Sequence, residues 1–284
     1  MTSDDRAGSG QVELGQRQIR VFLAITVVLV GLAYIPILQS GRLGTWGGLA
    51  VMLVMWAPGV AGMLTQLITT GSLRGMGWRP QTAGLLGLAL ILPLIYAGPV
   101  YTLTWLSGLG SFNPQGWTSQ LPGFSVGAAL ALLLTAGMLQ SLISGTGEEI
   151  GWRGLLVPAL AKVYPFHRVA LYSSLIWLLY HVPLILAADY HGEGTPRWYS
   201  LICFAAMVMA LGTVMAWLRT VSGSLWPPAV LHASHNLLVQ AVFDGGTKPG
   251  DWSGYITGEF GAGLVLTIGV VAWVMVKHRS PVPV

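Results

Sequence analysis

The chain has 284 residues, of which 54% are hydrophobic and 8% charged, against about 45–50% and 25% in soluble domains. This composition excludes a soluble globular protein and points to membrane-spanning helices, each needing about 20 apolar residues. The net charge of +4 comes without a run of clustered Lys or Arg, so no phosphate-binding face and no nucleic-acid partner is expected; the single cysteine, Cys203, rules out an internal disulfide and a CxxC zinc site.

In chain order, residues 1–19 are polar, include Gly8, Ser9 and Gly10, and are expected to be a flexible cytoplasmic tail. Eight apolar runs follow: Val21 to Leu38, Trp46 to Ile68, Ala83 to Leu106, Phe124 to Ile143, Val169 to Ala188, Tyr199 to Leu218, Leu225 to Phe243 and Phe260 to Val276. The expected fold is therefore all-α, a polytopic membrane bundle of about eight transmembrane helices. The first four runs fall in 20–144, a polar-studded core in 145–243, and an external loop, last helix and short tail in 244–284. No Ala-x-Ala-like cleavage site follows the first run, which reads as an anchor that stays in the mature protein. Gly59/Gly62 and Gly84/Gly87 offer small-residue faces for helix contact.

Placing both termini in the cytoplasm puts Arg6, Arg17, Arg20, Arg74, Arg79, Arg153, Lys162, Arg168, Arg219, Lys277 and Arg279 on that side, with only Arg42, Arg197 and Lys248 outside. Basic residues concentrate in cytoplasmic loops, and this division favours an even number of spans. The expected location is multi-pass in the cell membrane, with lipid as a standing partner.

Ionisable groups at membrane depth are costly, so each is a functional candidate. Glu148 and Glu149 stand before Arg153, at the expected cytoplasmic end of the fourth run. On a helix Glu149 and Arg153, at i and i+4, form an ion pair on one face. Glu148 points about 100 degrees away, free to line a cavity. His181 lies deep in the fifth run, with Pro183 two residues on and Trp177 one turn before it, placed to shield it from lipid. In the seventh run His232 and Asn236 project about 40 degrees apart, with His235 some 60 degrees to the side.

A carboxylate with imidazoles and an amide in a partly dry cavity can activate water and stabilise an oxyanion, as peptide hydrolysis requires. Ser141, Ser144 and Ser234 are nearby, but neither a G-x-S-x-G elbow nor Ser-x-x-Lys is present to support a covalent serine route. His181, His232 and Glu148 also have the composition of a two-His, one-carboxylate zinc site, although H-E-x-x-H is absent.

The motifs E-E-x-x-x-R, F-x-x-x-H and H-x-x-x-N belong to the CAAX prenyl protease and bacteriocin-processing family of intramembrane proteases, the type II CAAX endopeptidases. This sequence resembles that family in order and spacing, reading Glu148-Glu149-x-x-x-Arg153, Trp177-x-x-x-His181 and His232-x-x-x-Asn236 over about 145–236. One position departs, Trp177 for Phe, an aromatic exchange expected to bear on packing more than on chemistry.

The resemblance implies a glutamate-dependent endopeptidase needing no cofactor. Glu148 would activate water with His181, His232 and Asn236 would stabilise the oxyanion, and Glu149, Arg153 and His235 would support them. Zinc on the same residues is the alternative mechanism. A non-enzymatic immunity or scaffold protein is the alternative function. The estimated depth of His232, about 10 Å from the cytoplasmic start of its span, places the reaction at the cytoplasmic side, on a peptide or protein that is lipid-modified or membrane-tethered.

Overall fold

The computed structural model describes residues 3–80, 83–119 and 121–278. Eight helical rods run alternately up and down: α1 (Ser3–Ser40), α2 (Leu49–Thr70), α3 (Ala83–Leu106), α4 (Val126–Ala161), α5 (Phe166–Ala187), α6 (Arg197–Ser222), α7 (226–244) and α8 (Ala262–His278). Among the described residues six of these, α1 to α6, are long and apolar enough to cross a membrane; α7 is interrupted by His and Asn, and α8 is shorter. The protein is a multi-pass helical membrane protein. Both ends of the described chain lie at one face, called here the terminal face, with the connections after α2, α4 and α6. The opposite, distal face carries the connections after α1, α3, α5 and α7. There β1 (Gly110–Phe112) and β2 (Thr247–Pro249) pair antiparallel, Ser111 opposite Lys248. Trp46, Trp198 and Trp252 are exposed near this face, as interfacial aromatics are.

Two expectations change here. Residues 3–19, read as a flexible tail, continue α1 as helix. Gln18 is buried and donates to Gln66 Oε1 at 2.8 Å, and Lys162 Nζ donates to Gln18 Oε1 at 2.7 Å, so this polar residue ties the start of α1 into the bundle. The fourth span does not end near Ile143. Its helix continues through the Glu pair to Ala161, with i→i+5 stretches at Leu133–Gly137 and Ile150–Leu156.

That continuation is possible because α4 crosses α2 on glycines. A Cβ on Gly59 would overlap the Gly147 carbonyl, and one on Gly62 would sit 3.0 Å from the Gly151 Cα. Small residues let two backbones approach this closely. Gly84 and Gly87, by contrast, have nothing within 4 Å of a built Cβ and form no such seam. The first half of α4 is largely exposed, at Leu134, Leu139 and Ile143, whereas Gly147 to Val157 is buried throughout. Arg153 therefore lies inside the bundle at 0% exposure, not in a cytoplasmic loop.

Candidate active site

The glycine seam sets Glu148 and Glu149 at mid-bundle, 2% and 0% exposed. The ion pair expected from the i, i+4 spacing is present, with Arg153 Nη1 donating to Glu149 Oε1 at 2.8 Å. The same oxygen lies 2.9 Å from His232 Nδ1, so Glu149 links α4 to α7. Arg153 also stacks 4.5 Å from the centre of the Trp177 ring. Glu149 Oε2, Arg153 Nε and Arg153 Nη2 have no hydrogen-bond partner among the described residues, which makes this cluster costly to disturb.

Glu148 is turned away from that pair, as the helical period requires, but it is not free. Its Oε2 accepts from Trp177 Nε1 at 2.8 Å and from Trp152 Nε1 at 3.1 Å. Both indoles are buried, at 3% and 1% exposure. Trp177 is therefore no lipid shield. The indole adds a hydrogen bond as well as packing, and a phenyl ring, with no N–H to give, could not make it.

His181 Nδ1 lies 2.8 Å from the Trp177 carbonyl. Nδ1–H donates there, and the Nε2 lone pair is left for other work. Its ring packs edge to face on Trp177 and Tyr180. Glu148, His181, His232 and Asn236, from three helices, all line one cavity of about 150 Å³ with Trp177 and Tyr180. Apolar residues of α1, α2 and α6, including Val54, Phe204 and Met207, complete its wall.

The same cavity carries a second carboxylate that the sequence did not single out. Glu259, just before α8, is 6% exposed. Its Oε1 accepts from Gln240 Nε2 at 3.0 Å and lies 2.9 Å from His235 Nε2, and its Oε2 accepts from Tyr190 at 2.8 Å. His235 Nδ1 lies 2.7 Å from the Tyr96 hydroxyl, so the supporting histidine serves Glu259 and not Glu148. Burial pushes the Glu259 carboxyl up, but the hydrogen bond and charge of His235, with the donors from Gln240 and Tyr190, outweigh it and hold the group down at about 2. Burial and the neighbouring Glu259 charge push the Tyr190 hydroxyl well above 10, keeping it a donor. No local motif marks Glu259; it is one acidic residue in a polar connection.

A resident zinc was tested on the donor set. Among the described residues no three His, Cys, Asp or Glu side chains converge in a way that could hold a metal ion. The residues as placed do not fit zinc, and no step is derived through it.

The fold and cavity define a polytopic helical membrane protein with a buried Glu, His and Asn centre. Residues 128–238 match the sequence model of the family described as Type II CAAX prenyl endopeptidase Rce1-like. The resemblance read from the three motifs is borne out over that segment. A curated relative from Methanococcus maripaludis, named CAAX prenyl protease 2, is 29% identical over 80 residues. That match covers 27% of this chain and 29% of the relative.

Proposed function

We propose that the protein is an intramembrane endopeptidase in which Glu148 activates water for attack on a peptide carbonyl. The observation that carries this reading is the convergence of Glu148, His181, His232 and Asn236 on one cavity, with both indole donors on Oε2 of Glu148. The other oxygen, Oε1, is the one assigned to take a proton from water. His181 supports that water through Nε2, and the hydroxide adds to the carbonyl carbon. With both ring nitrogens of His232 protonated, Nδ1–H is held by Glu149 and Nε2–H faces the oxyanion, joined by the Asn236 amide. The C–N bond then breaks, and the proton on Glu148 passes to the leaving amine. The match to a prenyl endopeptidase family over 128–238 favours a peptide or protein substrate in the membrane.

Purified protein assayed on a peptide panel tests the reading: Glu148→Ala should abolish cleavage at unchanged helix content, and full turnover in that variant would overturn it. The mechanism is metal-free in this proposal. Turnover should survive prolonged chelation, and one zinc per chain that is lost in His181→Ala would replace it with the zinc route.

A further inference from the structure

The side of the membrane from which the cavity is entered follows from where its walls lie. Leu43 comes from the distal connection after α1, Tyr190 from the one after α5 and Glu259 from the one before α8, and all three line the cavity. His181 is six residues, or about 9 Å, from the distal end of α5 and about 22 Å from its terminal-face start. No residue of the terminal-face connections, among those described, lines it.

The terminal side is also closed. Trp152, Arg153 and Leu156 are buried beneath the site. Below them Arg219 donates to the Arg153 carbonyl at 2.7 Å, and Leu225 N and Trp226 Nε1 donate to the carbonyls of Gly77 and Trp78 at 2.9 and 2.7 Å. Depth measured along α7 alone suggests entry from the terminal side; the packing of α5 and the distal connections reverses it.

Charge orients this picture. With Arg153 inside the bundle and Arg279 outside the described residues, the other nine of the eleven basic residues assigned to the cytoplasm lie on the terminal side, against Arg42, Arg197 and Lys248 on the distal side. That asymmetry puts the terminal face in the cytoplasm. The distal connections carry Asp189, Glu193, Asp251 and Glu259, and the cavity holds two carboxylates and neither Lys nor Arg.

We propose that the cavity is entered from the distal face, that this face lies outside the cytoplasm, and that it admits a neutral or cationic stretch of polypeptide. This deepens the peptidase reading and rests on it for the word substrate. An acidic segment would face Glu148 and Glu259 with no Lys or Arg in the lining to compensate, His232 and His235 being already engaged by Glu149 and Glu259, at a cost that low dielectric magnifies.

Thiol labelling in intact cells, in a Cys203→Ser background, tests the proposal. Leu43→Cys should react with an impermeant cationic methanethiosulfonate, whereas Thr70→Cys at the terminal face should react only after permeabilisation. The cationic reagent should outpace its anionic sulfonate counterpart at Leu43→Cys by about tenfold. Protection of Leu43→Cys until the cells are opened would overturn the entry side, and equal or faster anionic labelling would overturn the charge preference. Val51→Cys, on the same wall, gives the same readout if Leu43→Cys does not accumulate. Labelling is read as a mass shift and needs no turnover, so failure of the peptidase reading would appear separately, in the Glu148→Ala assay.

Discussion

Glu148 and Glu259 share one cavity and are both carboxylates, yet their surroundings differ. Glu259 has partners on both oxygens, and its histidine is anchored in turn by Tyr96. Glu148 has both indole donors on one oxygen, and Arg153, on the same helix, is bonded to Glu149. A carboxylate satisfied on every side fastens helices together; one held by a single oxygen is positioned and still able to take a proton. The difference teaches that two buried carboxylates of one cavity can carry different patterns of satisfied lone pairs, and that pattern is the ground on which Glu148, and not Glu259, is proposed as the base.

The comparison breaks most readily on activity. Glu148→Gln should lower kcat by about 10²–10⁴-fold, while Glu259→Gln should keep kcat within about tenfold when assayed on folded protein. Equal losses in the two variants at equal helix content would erase the distinction. The next effect is on stability. Glu149→Ala strips the partner from a fully buried Arg153, and about 3–5 kcal/mol should be lost in detergent unfolding. That loss should accompany lowered turnover, since His232 is released as well. A variant as stable as wild type would show that the ion pair is not what holds α4 to α7.

A smaller change probes the indole donor. Trp177→Phe removes one hydrogen bond to a charged group, worth about 1.5–3 kcal/mol, and should lower kcat about 10–100-fold with KM within about twofold. Sulfur in place of N–H, by incorporation of benzothienylalanine, should reproduce the loss at unchanged ring volume. A proportionate rise in KM instead would make Trp177 a packing residue. The smallest effect is on acid stability. Glu259 is held at about 2 in the folded protein, below its usual 4.5, so it stabilises the fold above about pH 4.5 and loses that contribution as pH falls toward 2. Thermal unfolding followed from pH 6 to pH 2.5 should show a steeper decline in wild type than in Glu259→Gln, and parallel curves would remove this role.

Much of this was legible in the sequence. The eight apolar runs stand where eight rods stand, because a helix in lipid must satisfy its own backbone and so needs unbroken apolar length. The Glu149 to Arg153 pairing and the turned-away Glu148 follow from 3.6 residues per turn. The end of α4 did not follow, because Glu148, Glu149 and Arg153 read as a helix terminus until α2 supplies a glycine surface against which they are buried. Residues 3–19 misled in part in the same way, because Gln18 uses its polarity against Gln66 and Lys162. Trp177 looked like an apolar neighbour of His181 because its N–H finds Glu148 only across two helices. Glu259 had no periodic or motif context, and the vertical position of the cavity depends on how α5 aligns with α7, which no single helix encodes.

The glycine seam between α2 and α4 carries a mechanical consequence. Two rods in backbone contact at Gly59 with Gly147, and at Gly62 with Gly151, have no side-chain cushion to compress or rotate. They travel as one strut, and that strut bears Glu148 together with the wall residues Val51, Val54 and Met55. If the cavity widens, the distance from Glu148 to that wall stays constant, and the space has to come from α5, α6 and α7. The protein thus behaves as a caliper with one fixed jaw, and the fixed jaw holds Glu148, the proposed proton acceptor.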